Sequence, residues 1–289
     1  MGKRGGFVLN GGLLRIRESL HNIKRSEQNA AHYILANPDE VIRLSIKELA
    51  ERSESSQAAI IRMCKSIGVD GFQELKIRIA GDLQSSTAQD EYKEILPDAD
   101  MYTLIESVSL NNILSLRETI KILDTEAVEK AIGELFRATR IDFYGVGASQ
   151  LVAQDAQHKF LRINKMCTAH SDSHLQLTSA VTLTAGDVAV GISNSGETSQ
   201  IITTMKQARK SGAVTIGITK YGTNSLAECV DLHLTTFSTE ADERSAATSS
   251  RIAQLNVIDI LFRGVAAKNY DVSAAYLRQT RKAVREQYK

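Results

Sequence analysis

Between residues 140 and 236, short apolar runs alternate with longer amphipathic stretches, and this alternation does most to narrow the folds open to the chain. Arg140-Ile141-Asp142-Phe143-Tyr144-Gly145 reads as a strand that runs into glycine. Residues 165–168, 188–192, 214–218 and 230–234 are four more strand candidates, and helical patterns over 151–162, 173–183 and 199–210 lie between most of them. Strand–helix alternation predicts a parallel sheet covered on both faces. Two further helices are expected over about 245–267 and 272–288.

The first 83 residues have a different rhythm and read as helices alone. Ser26 can cap a helix whose stripe is Ala30, Ala31, Ile34 and Leu35; Asn37-Pro38 ends it, and Pro38 suits the first turn of a short successor. Ser45-Ile46-Lys47-Glu48 is a capping box opening a helix with Ile46, Leu49 and Ala50 inward. After a polar turn, Ser55 or Ser56 caps a second helix over 57–67, with Ile60, Ile61 and Cys64 as its apolar side and Gly68 just past its end. Another helix is expected over 72–83. Residues 84–100 lose this periodicity and read as a linker; helical patterns return from Met101 to Thr139. The expected organisation is a helical head over 1–83, the linker, and an α/β body over 101–289, two domains in 289 residues.

Charge agrees with this division. Residues 1–85 hold 13 Lys+Arg against 10 Asp+Glu, a net of +3; the rest hold 22 against 24, a net of −2. A basic head suits contact with DNA. Two short helices around a tight turn form a helix-turn-helix, whose second helix can lie in the major groove. Its leading residues, Ser55, Ser56 and Gln57, would meet phosphates or base edges, with Arg62 and Lys65 further along and Lys47 on the preceding helix. The competing reading of the head is an oligomerisation module with a polar exposed helix.

In the body two segments carry the chemistry: Tyr144-Gly145-Val146-Gly147-Ala148-Ser149 and Ile192-Ser193-Asn194-Ser195-Gly196-Glu197-Thr198. Each runs from strand to turn to helix, at the strand ends where open α/β sheets bind ligands. Glycines admit an anion to the backbone, helix starts present N–H groups, and Ser149, Ser193, Ser195 and Thr198 add hydroxyls. Neither turn holds Lys or Arg, so neutral donors would hold a phosphate. A dinucleotide site lacks its third glycine and its acid, since Cys167 and Thr168 stand where the acid belongs, and no GxxxxGK[ST] loop is present.

These features together resemble the RpiR family of bacterial regulators, which join a helix-turn-helix to a sugar isomerase (SIS) domain. In the head the resemblance rests on Ser26-Glu27, residues 45–50, 59–65 and 71–76; in the body, on the two Ser-rich turns and on 244–251. Within the family the chain is most like the MurR-type repressors of N-acetylmuramic acid catabolism. The resemblance implies that Ser149, Ser193, Ser195 and Thr198 hold a phosphate, that His174 and Arg251 approach the sugar or its phosphate, and that Glu197 accepts from a sugar hydroxyl. It implies a homodimer or homotetramer whose paired heads fit palindromic operator DNA. N-acetylmuramic acid 6-phosphate is the first effector expected and N-acetylglucosamine 6-phosphate the second.

Several residues invite other chemistry. Cys167, His170, Asp172 and His174 crowd together as a zinc site would, but their spacing is irregular, and no metal or cofactor is expected. Glu240, Asp242, Glu243 and Arg244 read as a charged loop before a helix, and His158 and His233 as structural. An isomerase or lyase on the same domain could draw an acid/base pair from His174, Glu197 and Glu243, although a stand-alone enzyme has no use for the head. A phosphosugar-binding module acting on a protein partner is a third class. Three dispersed cysteines, no signal-peptide pattern and no long apolar run predict a cytoplasmic protein that makes no use of a membrane.

Overall fold

A computed structural model describes residues 11–20, 23–85, 99–238, 240 and 247–287. The chain divides into two compact units. Most of the expected linker, and Asp242, Glu243 and Arg244, lie outside the described residues.

The head contains α1 (Gly12–Ser19), α2 (Arg25–Ala36), α3 (Pro38–Val41), α4 (Ile46–Arg52), α5 (Gln57–Ser66) and α6 (Phe72–Ser85). One core joins them, built on Ile16, Ile34, Leu49, Ile60, Met63, Leu75 and Ile79, all fully buried. Pro38 occupies the first turn of α3. The capping box of α4 is complete: Glu48 N donates to Ser45 Oγ at 3.2 Å and Ser45 N to Glu48 Oε2 at 2.7 Å. These bonds from Ser45 hold the Glu48 carboxyl below its usual range.

Two local expectations need correction. Ser26 does not cap α2; the helix starts one residue earlier, at Arg25, where Glu27 N already donates to Lys24 O and leaves Ser26 inside the first turn. Ile61 does not join the apolar side of α5: Ile60, Met63 and Cys64 are buried, while Ile61 is 43% exposed.

The body starts with α7 (Met101–Ile122), capped by Asp100, and α8 (Thr125–Arg137), capped by Asp124. Then β1 (Ile141–Tyr144), α9 (Ala148–Leu161), β2 (Cys167–Thr168), α10 (Ser173–Val181), β3 (Val188–Ile192), α11 (Ser199–Lys210), β4 (Val214–Lys220), α12 (Ser225–Cys229) and β5 (Leu232–Thr236) follow, closed by α13 (Ser249–Lys268) and α14 (Tyr270–Glu286). The expected five-stranded parallel sheet is present, in the order β2-β1-β3-β4-β5, and every pairing is parallel. The short α12 has no counterpart among the sequence expectations.

Both faces of the sheet are covered, so its central strands are continuously apolar. Ile141, Phe143, Val190, Ile192, Ile216 and Ile218 face one core, shared with Leu135 of α8, Phe160 of α9 and Leu261 of α13. Tyr144 and Ala189 face the other, with Ile201 and Met205 of α11 and Leu226 of α12. Gly191 lets α11 lie close, for a Cβ there would stand 2.7 Å from Met205 Cγ. The one carboxylate in β1, Asp142, is fully buried but paired: Arg140 grips it with two N–H groups at 2.9 and 2.7 Å, and the hydroxyls of Thr168, Tyr144 and Ser179 complete its shell. Burial beside this charge pushes the Tyr144 phenol upward.

Candidate functional site

The strand order has a switch point between β1 and β3. β1 and β3 are neighbours whose connections leave in opposite directions, and a crevice opens beyond the carboxyl ends of such a pair. Tyr144 pairs with Gly191, so the turns that follow β1 and β3 emerge side by side. These are the two Ser-rich turns.

Their backbones require glycine. A Cβ on Gly145 would lie 2.6 Å from the Ser149 carbonyl oxygen. Gly147 has φ +60° and opens α9 with no side-chain cap. Gly196 has φ +69°, and a Cβ there would stand 2.1 Å from Asn224 Oδ1. Thr198 precedes α11 but does not cap it; its hydroxyl pairs with Ser193 Oγ at 2.9 Å. Both helices therefore begin with amides that no side chain caps, the usual setting for an anion.

Hydroxyl oxygens in the second turn accept from the turn's own amides. Gly196 N donates to Ser193 Oγ and Glu197 N to Ser195 Oγ, each at 3.2 Å. A hydroxyl has one proton to donate. The Ser195 proton stays available, and the Ser193–Thr198 pair keeps one of its two. Ser149 differs, because its hydroxyl donates to Gln254 Oε1 at 3.3 Å.

Other expected residues take distinct positions. Both Glu197 carboxylate oxygens are engaged by Ser225, through its amide at 2.8 Å and its hydroxyl at 2.6 Å. These bonds hold the Glu197 carboxyl below its usual range. His174 is exposed near the start of α10. Two residues on, buried Gln176 donates to Gly145 O at 2.8 Å and to His170 O at 2.7 Å, which ties α10 to the first turn. Arg251 is half-buried in the first turn of α13, one turn before Gln254.

Sequence reasoning missed the glutamines Gln150, Gln176 and Gln254, all buried. It left Glu240 in a charged loop, where the structure has Glu240 Oε1 accepting from Ser249 N and Ser250 N at 2.7 and 3.2 Å and capping α13. Asp172 caps α10, and burial pushes the Cys167 thiol up to about 12. Among the described residues no three His, Cys, Asp or Glu side chains group as metal ligands. An open cleft of about 410 Å³ among Lys159, Arg162, Phe262, Leu277, Arg278 and Arg281 includes no residue of either Ser-rich turn.

In the head, α4 and α5 flank a four-residue turn. Ser55 N donates to Ala50 O at 3.0 Å, Ser53 Oγ meets both Leu49 O and Ser55 Oγ, and Glu54 takes a left-handed conformation at φ +51°. Ser56 caps α5 by accepting from Ala59 N at 3.1 Å. Ser55 is half-buried, while Lys47, Ser56, Gln57, Ala58, Ile61, Arg62 and Lys65 are exposed. At helical spacing the α5 residues among them share one face. Arg62 also reaches back to α2, with its Nε 3.5 Å from Oε1 of the buried Glu27.

The head is thus a helix-turn-helix bundle, and the body is a doubly wound α/β domain with two Ser-rich turns side by side at its switch point. Comparison with known proteins gives the family. The SIS domain model matches residues 134–263, and the model for the helix-turn-helix domain, rpiR family, matches residues 10–86. The chain is 48% identical over 265 residues to an uncharacterised HTH-type transcriptional regulator of Caldanaerobacter subterraneus subsp. tengcongensis, covering 92% of this chain and 94% of that one. It is 41% identical over 278 residues to YbbH, an uncharacterised HTH-type transcriptional regulator of Bacillus subtilis, covering 96% and 98%. Among solved structures it shares its fold with the Vibrio vulnificus NanR protein complexed with ManNAc-6P, at a TM-score of 0.61 and 22% identity, covering 96% and 98%. This chain belongs to the RpiR family of HTH-type transcriptional regulators with an SIS domain.

Proposed function

We propose that the body binds an amino-sugar 6-phosphate at the two Ser-rich turns, and that binding changes the affinity of the head for a palindromic operator. The observation that carries this reading is the pair of adjacent turns after β1 and β3. They offer two uncapped helix starts and the hydroxyls of Ser193, Ser195 and Thr198, without a fixed cation. Such a site suits a phosphate monoester. The solved NanR structure, a protein of the same fold complexed with ManNAc-6P, supports a phosphosugar effector.

By resemblance to the MurR type, N-acetylmuramic acid 6-phosphate is the first choice and N-acetylglucosamine 6-phosphate the second, with repression relieved by the sugar. By the same resemblance, Arg251 and His174 approach the sugar or its phosphate. Ser55, Ser56, Gln57, Arg62, Lys65 and Lys47 form the DNA face, and the exposed Ile61 adds an apolar contact of the kind that thymine methyls take. Such a regulator works in the cytoplasm; no described helix is long and apolar enough to cross a membrane. Apolar side chains exposed on α7 (Met101, Tyr102, Ile105, Val108 and Ile113) support self-association of the body. The effector acts only through its differential affinity for the two arrangements of the assembled subunits.

The isomerase or lyase reading is weaker because both oxygens of Glu197, one of its candidate bases, accept from Ser225, which lowers its basicity. Ser195→Ala tests the phosphate site. Hydrogen bonds to charged groups are worth ~1.5–3 kcal/mol, so the variant should bind the phosphosugar about 10- to 100-fold more weakly by calorimetry. Its operator affinity in the absence of sugar should not change. Undiminished phosphosugar binding, or equal binding of the unphosphorylated sugar, would remove the phosphate assignment.

A further inference from the structure

Gln254 lies on α13, about 2% exposed, with its carboxamide against the first Ser-rich turn. Its Oε1 accepts the Ser149 hydroxyl at 3.3 Å, and its Nε2 is buried with no hydrogen-bond partner among the described residues. Two N–H groups are thus left idle beside a serine whose own proton is already committed. In this state Ser149 would present a lone pair, not a proton, to an incoming phosphate oxygen.

The carboxamide can resolve this conflict. Turned over, it brings Nε2 to the position of Oε1. An amide N–H then donates to Ser149 Oγ, and the hydroxyl proton is released toward the crevice. The result is a chain, N–H to O–H to phosphate oxygen, in which each bond polarises the next. A carboxamide offers both a donor and an acceptor at the same point without a change of protonation.

We infer that Gln254 is a positioning residue for the effector, whose carboxamide sets the direction of the Ser149 hydroxyl and turns over when a phosphate arrives. This inference rests on the phosphate-site reading. Gln254 itself makes no contact with the ligand; it acts through Ser149.

The test is calorimetry on the full chain, titrated with N-acetylmuramic acid 6-phosphate and N-acetylglucosamine 6-phosphate, with operator binding as the check on folding. Gln254→Met keeps the length and removes both polar groups, and should weaken binding about 5- to 20-fold, the loss of one bond's direction. Ser149→Ala should remove the dependence: the double variant Ser149→Ala/Gln254→Met should bind no more weakly than Ser149→Ala. Gln254→Glu supplies a second, independent variant. Its carboxylate can only accept, so it fixes the Ser149 proton away from the phosphate and adds a like charge. Burial raises the pKa of such a group, so at lower pH it takes up a proton and becomes neutral. Its deficit relative to wild type should therefore be larger at pH ~8 than at pH ~5.5.

Additive losses in the double variant, or a Gln254→Glu variant that binds the phosphosugar as tightly as wild type at pH ~8, would overturn the positioning role while leaving the phosphate site standing. A wild-type chain that binds neither phosphosugar would overturn the phosphate site and this inference with it.

Discussion

Gly196→Ala is expected to abolish the effector response while leaving operator binding by the head intact. Gly196 sits at φ +69°, where an L residue costs roughly 1–3 kcal/mol. The new Cβ would also meet Asn224, 2.1 Å from Oδ1 and 2.7 Å from Cβ. Asn224 has nowhere to go. Its Oδ1 accepts from Ala227 N and caps α12, and its Nδ2 donates to Thr219 Oγ1, each at 2.9 Å. Relief must come from the β3–α11 turn, which holds Ser193, Ser195 and Thr198. Overpacking of this sort adds ~1–3 kcal/mol, so the body should lose on the order of 2–6 kcal/mol in a denaturant melt. Phosphosugar affinity should fall more than about 100-fold, since several donors move at once. Gly147→Ala is the control. It sits at φ +60° but faces open space, so only the conformational cost applies. Equal losses from the two substitutions would mean that the Asn224 contact does not hold the turn.

The second large effect is expected in the head. Arg62→Ala should weaken specific operator binding about 10- to 100-fold, lower the salt slope by about 1 if Arg62 neutralises one phosphate, and leave phosphosugar affinity unchanged. A complication comes from Glu27. Its Oε1 lies 3.5 Å from Arg62 Nε, and its Oε2 is buried without a hydrogen-bond partner among the described residues. Removing the arginine isolates a buried carboxylate, which destabilises the head as well. The double variant Glu27→Gln/Arg62→Ala separates the two effects. It should regain the thermal stability that Arg62→Ala loses and should not regain DNA affinity. Recovery of both would make Arg62 a packing residue of the bundle, not a DNA contact.

What could be read from the sequence followed local chemistry. The central strand was legible because a fully buried strand is a continuous apolar run, as in Val188–Ile192, and the others because short apolar runs alternate with helical patterns. The Ser45–Glu48 capping box was legible because both partners lie within one turn. The Ser-rich turns stood out because glycine and hydroxyls cluster at strand ends. The residues that were missed depend on partners remote in the chain. Gln176 reads as a surface residue of a helix until Gly145 and His170 are brought to it, and Gln254 until Ser149 is. Ile61 was assigned inward because hydrophobicity alone cannot separate a core position from an exposed one on the next face. Glu54 gave no sign of its left-handed turn, a conformation usually announced by glycine or asparagine. The bond from Ser225 to Glu197 was not legible because the two lie 28 residues apart.

The most direct test of a phosphosugar-gated regulator is fluorescence anisotropy at fixed salt. The DNA is a labelled fragment from upstream of the protein's own gene, measured with and without a panel of sugar phosphates and their unphosphorylated forms. The account predicts specific binding that one amino-sugar 6-phosphate releases and its unphosphorylated form does not. Specific binding that no phosphosugar alters, or no specific binding under any condition, would contradict it.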